Sequence, residues 1–420
     1  MPTVPELVYH FCEPMLGYQQ TNSSASMKAR YQYRIYPTLQ QQTNLAKLFG
    51  CCRVVWNDAL AMCKQSETFP KNSDLQTVCI TQAKKTIERQ WLSEVSNIPL
   101  QQSIADLGVA FKNFFDSLKD KRQGPKIKLP RFKRKDNRQS ARFRKGGFSF
   151  KGDKVYLAKI GNLKVRWSRA LPSEASSVTV IKDRSGRYFL SFVVEIQPIS
   201  IPAKNQSVGV DLGIKTFAVL SSGQHFKSPG YDRLDRKIRR QQRKLNRRVK
   251  ASKRRERTRL GIAKLKAKQR DIRKDFLHKL SSGLIRNHSV VAIEDLNVSG
   301  MVRNRKLARA IAQQGWRELR TMCKAKATMI KDREVSVISR WEPTSQKCAD
   351  CGYHWGKLDL SVRELVCLGC GKTQDRDGNA SRNIERSGLE LAHESKRTVN
   401  GRKTALRGNP TALSTHREST

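Results

Sequence analysis

Ser207-Val208-Gly209-Val210-Asp211-Leu212-Gly213 is a short apolar run that ends in a carboxylate and a glycine turn. It reads as a buried strand, because unbroken apolar runs of this length suit a sheet covered on both faces. Ser289–Ile293 repeats the pattern and ends at Glu294-Asp295. Upstream, Pro198 and Pro202 mark a linker. Between the two strands, residues 231–280 hold 22 Lys+Arg against five acidic residues. Leu234, Ile238, Leu245 and Val249 keep a sparse apolar stripe there, and Leu260, Ile262 and Leu265 resume it. That spacing predicts two long antiparallel helices with one packed face and a basic remainder. Downstream, the pattern predicts a helix over Lys306–Lys331, a strand over Val335–Ile338 and a last helix over Asp377–Ile384. The polar segment 387–420 is predicted to be a disordered tail.

The first half reads differently. Arg30–Tyr36 alternates, with Tyr31, Tyr33 and Ile35 on one face, and Pro37 ends the strand. Thr38-Leu39-Gln40-Gln41 has capping-box spacing and opens a helix through Leu45, Leu48, Val55 and Trp56. Leu100, Ile104, Leu107, Phe111, Phe114 and Leu118 form one helical stripe, and Gly124-Pro125 breaks it. From Phe143 to Ile196 short strands alternate with turns, Asp183-Arg184-Ser185-Gly186 being a hairpin turn. The expected architecture is α+β and multidomain. A β-barrel over 27–200 carries a helical insertion over about 38–125, and an α/β domain follows over 201–386.

Charge narrows the partners. There are 83 Lys+Arg against 36 Asp+Glu, a formal net charge of +47. Such a chain repels itself unless a polyanion is near, and neutralised phosphates release counterions on binding. Nucleic acid is the expected partner. No apolar run approaches the roughly 20 residues of a spanning helix, so no membrane role is expected. Residues 1–26 contain no Lys or Arg and read as a disordered leader or a misassigned start, with Met27 the plausible start. Leu129-Pro130-Arg131-Phe132-Lys133 mixes cations with a ring, as phosphate contact and base stacking require. Arg131, Lys133, Arg239, Arg240, Arg243, Lys244, Arg247 and Arg248 are the expected nucleic-acid contacts.

Ten cysteines are present, four of them spaced C-x2-C-x15-C-x2-C. Cys348, Cys351, Cys367 and Cys370 form two turns, with Gly352 and Gly371 admitting the backbone that such turns need. Four converging thiolates select Zn²⁺ and leave no open position, so the ribbon over 345–373 is a structural site in a reducing compartment. Three carboxylates form a second constellation: Asp211, Glu294 and Asp377. In an RNase H-like sheet the two buried strands run parallel and adjacent, and their acids leave at one edge. Asp377 opens a helix that can lie against that edge. Three acids there suit two Mg²⁺ ions and phosphodiester chemistry. Each acid alone also reads as a turn or cap residue, Asp377 in Asp375-Arg376-Asp377-Gly378-Asn379 as an N-cap.

Together these motifs resemble the TnpB family, transposon-encoded relatives of type V CRISPR nucleases. Tyr33-Arg34-Ile35-Tyr36-Pro37-Thr38 with Gln41, then Asn57 with Leu60, are similar to the family's opening, and Leu129-Pro130-Arg131-Phe132-Lys133 to its barrel segment. Gly209-Val210-Asp211-Leu212-Gly213, Ile293-Glu294-Asp295-Leu296 and Asp375-Arg376-Asp377-Gly378-Asn379-Ala380 with Asn383-Ile384 resemble its three RuvC motifs. Thr344-Ser345 before the first cysteine pair also fits. The resemblance implies a wedge-like or OB-like barrel and a RuvC nuclease domain with a basic helical-hairpin insertion and a four-cysteine zinc ribbon. It implies Asp211, Glu294 and Asp377 as Mg²⁺-binding catalytic residues, with Asp377 preferred to Asp375. The implied partners are a guide RNA from the transposon end and a double-stranded DNA target beside a short motif, in the prokaryotic cytosol and nucleoid. Two alternatives are weighed beside it. One is a nuclease-inactive, RNA-guided DNA-binding repressor; the other is a transposase-associated DNA-binding protein.

Overall fold

The structure, a computed structural model, describes residues 26–122, 125–359 and 361–405. The expected leader, Gly124 of the expected helix break and everything beyond Ala405 lie outside those residues. Two compact units form. One holds the residues up to Gln197 with Ile238–Leu265, and the other holds Pro198–Lys237 with the residues from Lys266 onward.

In the first unit, β1 (Met27–Ile35) buries Ala29, Tyr33 and Ile35 and turns Lys28, Arg30 and Gln32 outward. Thr38 then caps α1 (Leu39–Gln65). Its hydroxyl accepts the Gln41 N–H at 3.3 Å, and the Gln41 side chain accepts the Thr38 N–H at 3.0 Å. A short α2 (Asn72–Gln76) and tight turns lead to α3 (Asn97–Leu118). Leu100, Ile104, Leu107 and Phe111 of α3 are buried, whereas Leu118 is 60% exposed, so the expected stripe stops short. Six strands follow: β2 (Gln139–Arg144), β3 (Phe148–Lys151), β4 (Lys154–Leu157), β5 (Gly161–Arg166), β6 (Ala175–Lys182) and β7 (Tyr188–Ile196). They join β1 in the order β2-β6-β7-β1-β5-β4-β3, a nearly closed, barrel-like antiparallel sheet with α1–α3 inserted between β1 and β2. Phe192 stacks on Phe150 and Trp167 there, and Tyr33 meets Trp167 and Phe192 edge-on.

In the second unit, β8 (Asn205–Asp211) leads to two short strands absent from the sequence reading, β9 (Ala218–Leu220) and β10 (His225–Phe226). Then come α4 (Asp232–Asn246), α5 (Lys253–Asn287) and β11 (His288–Glu294), the stretch Ile238–Leu265 of the two helices being counted with the first unit. The α4–α5 turn is closed by Arg255, whose guanidinium donates to the Leu245 and Arg248 carbonyls. After α6 (Val298–Met301), the helix expected over Lys306–Lys331 is two helices, α7 (Ala308–Gln314) and α8 (Trp316–Ala327). Gly315, at φ +79°, takes a left-handed conformation that ends the first. The chain continues through β12 (Glu334–Ile338), β13 (Glu364–Val366), β14 (Thr373–Asp375) and α9 (Arg376–Ala405). Helix α9 runs far past Ile384, so the disorder expected from residue 387 is corrected as far as Ala405. Gly388 and Ala392, inconspicuous in a polar segment, pack inward there.

The second sheet has the order β10-β9-β8-β11-β12, with β8, β11 and β12 parallel. Leu277, Leu284, Ile311, Trp316 and Leu319 cover it with α5, α7 and α8. The opposite face carries α9, with Ile384 against Ala292 and Ile338. Glycine permits that close approach. A Cβ on Gly209 would lie 1.9 Å from the Ser381 carbonyl oxygen, and one on Gly388 would lie 2.2 Å from the Ala292 Cβ. No helix among the described residues is long and apolar enough to cross a membrane.

Candidate metal centres at the carboxylate edge

Parallel pairing fixes the first two acids. Val208 stands beside Val291 and Val210 beside Ile293. One residue further along each strand, Asp211 and Glu294 therefore emerge side by side. Asp377 lies in the first turn of α9, the helix packed on the same strands. Asp375 is engaged elsewhere, since its carboxylate caps α9 by accepting the Gly378 N–H at 2.7 Å.

Asp211 feels the other two acids. Burial, then the charges of Glu294 and Asp377, push the Asp211 carboxyl up to about 7, while the Leu212 N–H and Arg376 work the other way. Burial also raises Glu294, opposed by the Thr344 hydroxyl, which donates to its Oε1 at 2.8 Å. Asp377 pairs with Arg363, at 3.3 Å to Oδ2. Arg363 reaches it from the ribbon, and no motif in the sequence pointed to that arginine. Beside Glu294, the Asp295 carboxylate binds both Arg320 and Arg340.

The cysteines form a tighter group. Among the described residues they are the one set of three or more ligand-type side chains whose donor atoms all lie within 4.8 Å of one another. The Cys348–Cys370 and Cys351–Cys367 sulfur separations are 3.8 and 3.5 Å. Sulfurs about 2.3 Å from a tetrahedral Zn²⁺ stand about 3.8 Å apart, so the set fits that ion. Gly352 and Gly371, at φ +78° and +72°, close the two turns. Burial opposes ionisation of Cys348, but the N–H groups of Cys351 and Asp350 and the Gln374 amide bring it down to about 6.

The expected nucleic-acid contacts separate into two kinds. Arg131, Arg239, Arg240, Arg243, Lys244 and Arg247 are exposed. Lys133 instead holds its ammonium 3.7 Å over the Trp56 ring, and burial lowers its pKa. The main chain around it is fastened to α1, the Lys133 N–H donating to Asn57 Oδ1 at 2.8 Å and Trp56 Nε1 to the Arg131 carbonyl at 3.1 Å. Arg248 is spent on the hairpin turn, donating to the Arg254 carbonyl.

Comparisons with known proteins converge. The OrfB IS605 family model, described as "Probable transposase", matches residues 191–305. A "Helix-turn-helix domain" model of the same family matches 27–66, a span that here is one strand and one helix. A "Cas12f1-like, TNB domain" model matches 316–384. A protein of Streptomyces pristinaespiralis named "Putative RNA-guided DNA endonuclease" is 41% identical over 371 residues, covering 86% of this chain and 90% of the relative. A protein of Escherichia coli (strain K12) bearing the same designation, with the suffix InsQ, is 29% identical and covers 91% and 97% of the two chains. Among solved structures, a CRISPR-Cas12f ternary complex aligns over 82% of this chain and 81% of that one, at 16% identity and a TM-score of 0.33, too weak a likeness to bear on the fold.

Proposed function

The chain belongs to the TnpB family, and from that premise we propose that it is an RNA-guided, Mg²⁺-dependent DNA endonuclease with an RNase H-like, RuvC-type centre. One observation carries the reading. Asp211 and Glu294 end neighbouring parallel strands, Asp377 opens the helix packed on them, and burial, then the charges of Glu294 and Asp377, push the Asp211 carboxyl up to about 7. Such an edge is unfavourable to itself and favours divalent cations, which relieve the repulsion. Asp211, Glu294 and Asp377 are the residues that would hold Mg²⁺, two ions on this reading. Bound there, Mg²⁺ supplies the Lewis acidity that phosphodiester hydrolysis needs. Arg363 stands ready to meet a phosphate oxygen once a cation claims Asp377. The cysteine ribbon holds Zn²⁺ as a structural ion and presents that arginine.

The partners follow from charge and family. The exposed basic face of α4 suits an RNA backbone, and a transposon-end RNA is the proposed guide. Pairing with the target strand would then supply sequence recognition, with the protein holding the heteroduplex by its backbone. The barrel and its helical insertion are the proposed reader of a short motif beside the target, and support of transposon maintenance in the prokaryotic cytosol is the proposed role. The test is to purify the full chain from its host and sequence the RNA that accompanies it. A discrete RNA with one variable end, directing Mg²⁺-dependent cutting of matching duplex DNA, is expected. Random cellular RNA and no guided cutting would sink the reading.

A further inference from the structure

We infer that Thr344 is a positioning residue that sets the Glu294 carboxylate, and that through it the zinc ribbon and the carboxylate edge are energetically coupled. The inference rests on the endonuclease reading only in taking that edge as a cation site.

Thr344 lies between β12 and the first cysteine pair and is 5% exposed. Its hydroxyl donates to Glu294 Oε1 at 2.8 Å, a contact between residues 50 apart in sequence. A glutamate at a strand end has three side-chain torsions, and one buried hydroxyl bond removes most of that freedom. The carbonyl of the same threonine is held in turn, accepting from Asn383 Nδ2 at 2.8 Å. Asn383 Nδ2 also reaches the Lys347 carbonyl at 2.8 Å, and so does Asn379 Nδ2 at 2.8 Å. Asn379 Oδ1 accepts the Ala349 N–H at 2.7 Å. The two asparagines are 1% and 0% exposed and stand one helical turn apart on α9, just after Asp377.

Cys348 sits inside this clamp, between Lys347 and Ala349. The segment 344–349 thus carries a zinc ligand at one end and the partner of Glu294 at the other. Its middle is bound to the helix that presents Asp377. Leaving one of these buried groups unpaired carries its full desolvation penalty. The segment therefore shifts as a unit rather than bond by bond when Cys348 gains or loses its metal. Satisfying buried backbone groups accounts for the asparagines alone. It does not call for a hydroxyl donated outward to a candidate cation ligand, and that bond makes the clamp a link.

Zinc on Cys348 orders segment 344–349 and with it the Thr344 bond that holds Glu294 ready for a cation; because such coupling is reciprocal, a cation at the edge tightens zinc in the ribbon by the same factor. The measurement is the zinc affinity of the full chain, from equilibrium competition with a zinc-selective chelator, with and without Mg²⁺. Mg²⁺ is expected to raise zinc affinity by about fivefold or more in the parent, to have no effect in Thr344→Val, and to act again in Thr344→Ser. If Thr344→Val does not fold, Thr344→Ala removes the same hydroxyl with a smaller steric change and is read the same way. A parent indifferent to Mg²⁺, or a Thr344→Val protein that responds as the parent does, overturns the inference. Guided cutting is scored separately on the same preparations. Linkage without guided cutting removes only the endonuclease reading, and guided cutting without linkage removes only the coupling.

Discussion

The two sheets bury their strands in different ways. In the barrel-like sheet, β1 alternates between buried and open positions, and its outward residues are Lys28, Arg30 and Gln32. In the second sheet, Val208, Gly209 and Val210 of β8 and Val290–Ile293 of β11 are buried without interruption, because helices cover both faces. An alternating sheet can spread polar groups across a face. A covered sheet can offer chemistry only where its strands end, and there stand Asp211 and Glu294. The first architecture suits broad backbone contact, and the second suits a point site.

The largest expected effect tests the point site. Asp211→Ala, Glu294→Ala and Asp377→Ala should each lower Mg²⁺-dependent cleavage by on the order of 10³-fold or more, since several kcal/mol of charge stabilisation is lost. RNA binding should persist in each. Normal cutting by any one variant removes that residue from the site.

The next comparison sets packing against packing. Gly209→Ala drives a Cβ into the Ser381 carbonyl and should destabilise the second unit by more than about 3 kcal/mol. Phe192→Ala, at a fully buried ring of the first unit, should cost about 3–5 kcal/mol there. Hydrogen exchange resolved by peptide locates each loss. Uniform loosening of both units by either change would show that they do not fold separately. Cys351→Ser should lower zinc content and the melting temperature of the second unit by a smaller amount, read by metal analysis alongside the melt. Unchanged zinc stoichiometry would count against the four-thiolate site.

The smallest effect is a contrast in pH response. Asp211 keeps its proton up to about 7 when folded but only to about 4 when unfolded. The folded state therefore binds more protons in that window, and the second unit should lose stability as pH rises from about 4 to about 7 without added Mg²⁺. Asp183 in the first unit behaves oppositely. Burial raises it, but bonds from Ser185 and Arg187 hold it below the usual carboxylate range. Its contribution is present above about pH 4 and fades as pH falls below that value. Melts of Asp211→Asn should lack the first slope and keep the second.

The residues that chemistry fixes locally were legible in sequence. Two cysteine pairs followed by glycines state a metal site by spacing alone, and Thr38 with Gln41 states a cap. Asp211 and Glu294 were legible because each ends an apolar run. Arg363 and the Thr344 hydroxyl were not, because each acts on a residue brought near only by the folded sheet and ribbon. The length of α9 was hidden for another reason: its buried positions are Gly388 and Ala392, which carry no apolar pattern. Lys133 was read as a phosphate contact from composition, while its burial over Trp56 depends on α1.

The close seating of α9 on β8 and β11, through Gly209 and Gly388, has a consequence for synthesis. The ribosome delivers the barrel-like sheet, all three parallel strands and two of the three acids before it delivers Asp377. On the proposed reading, a chain cut short before α9 would keep the basic surface and only two of the three acids, and so would bind nucleic acid without cutting it.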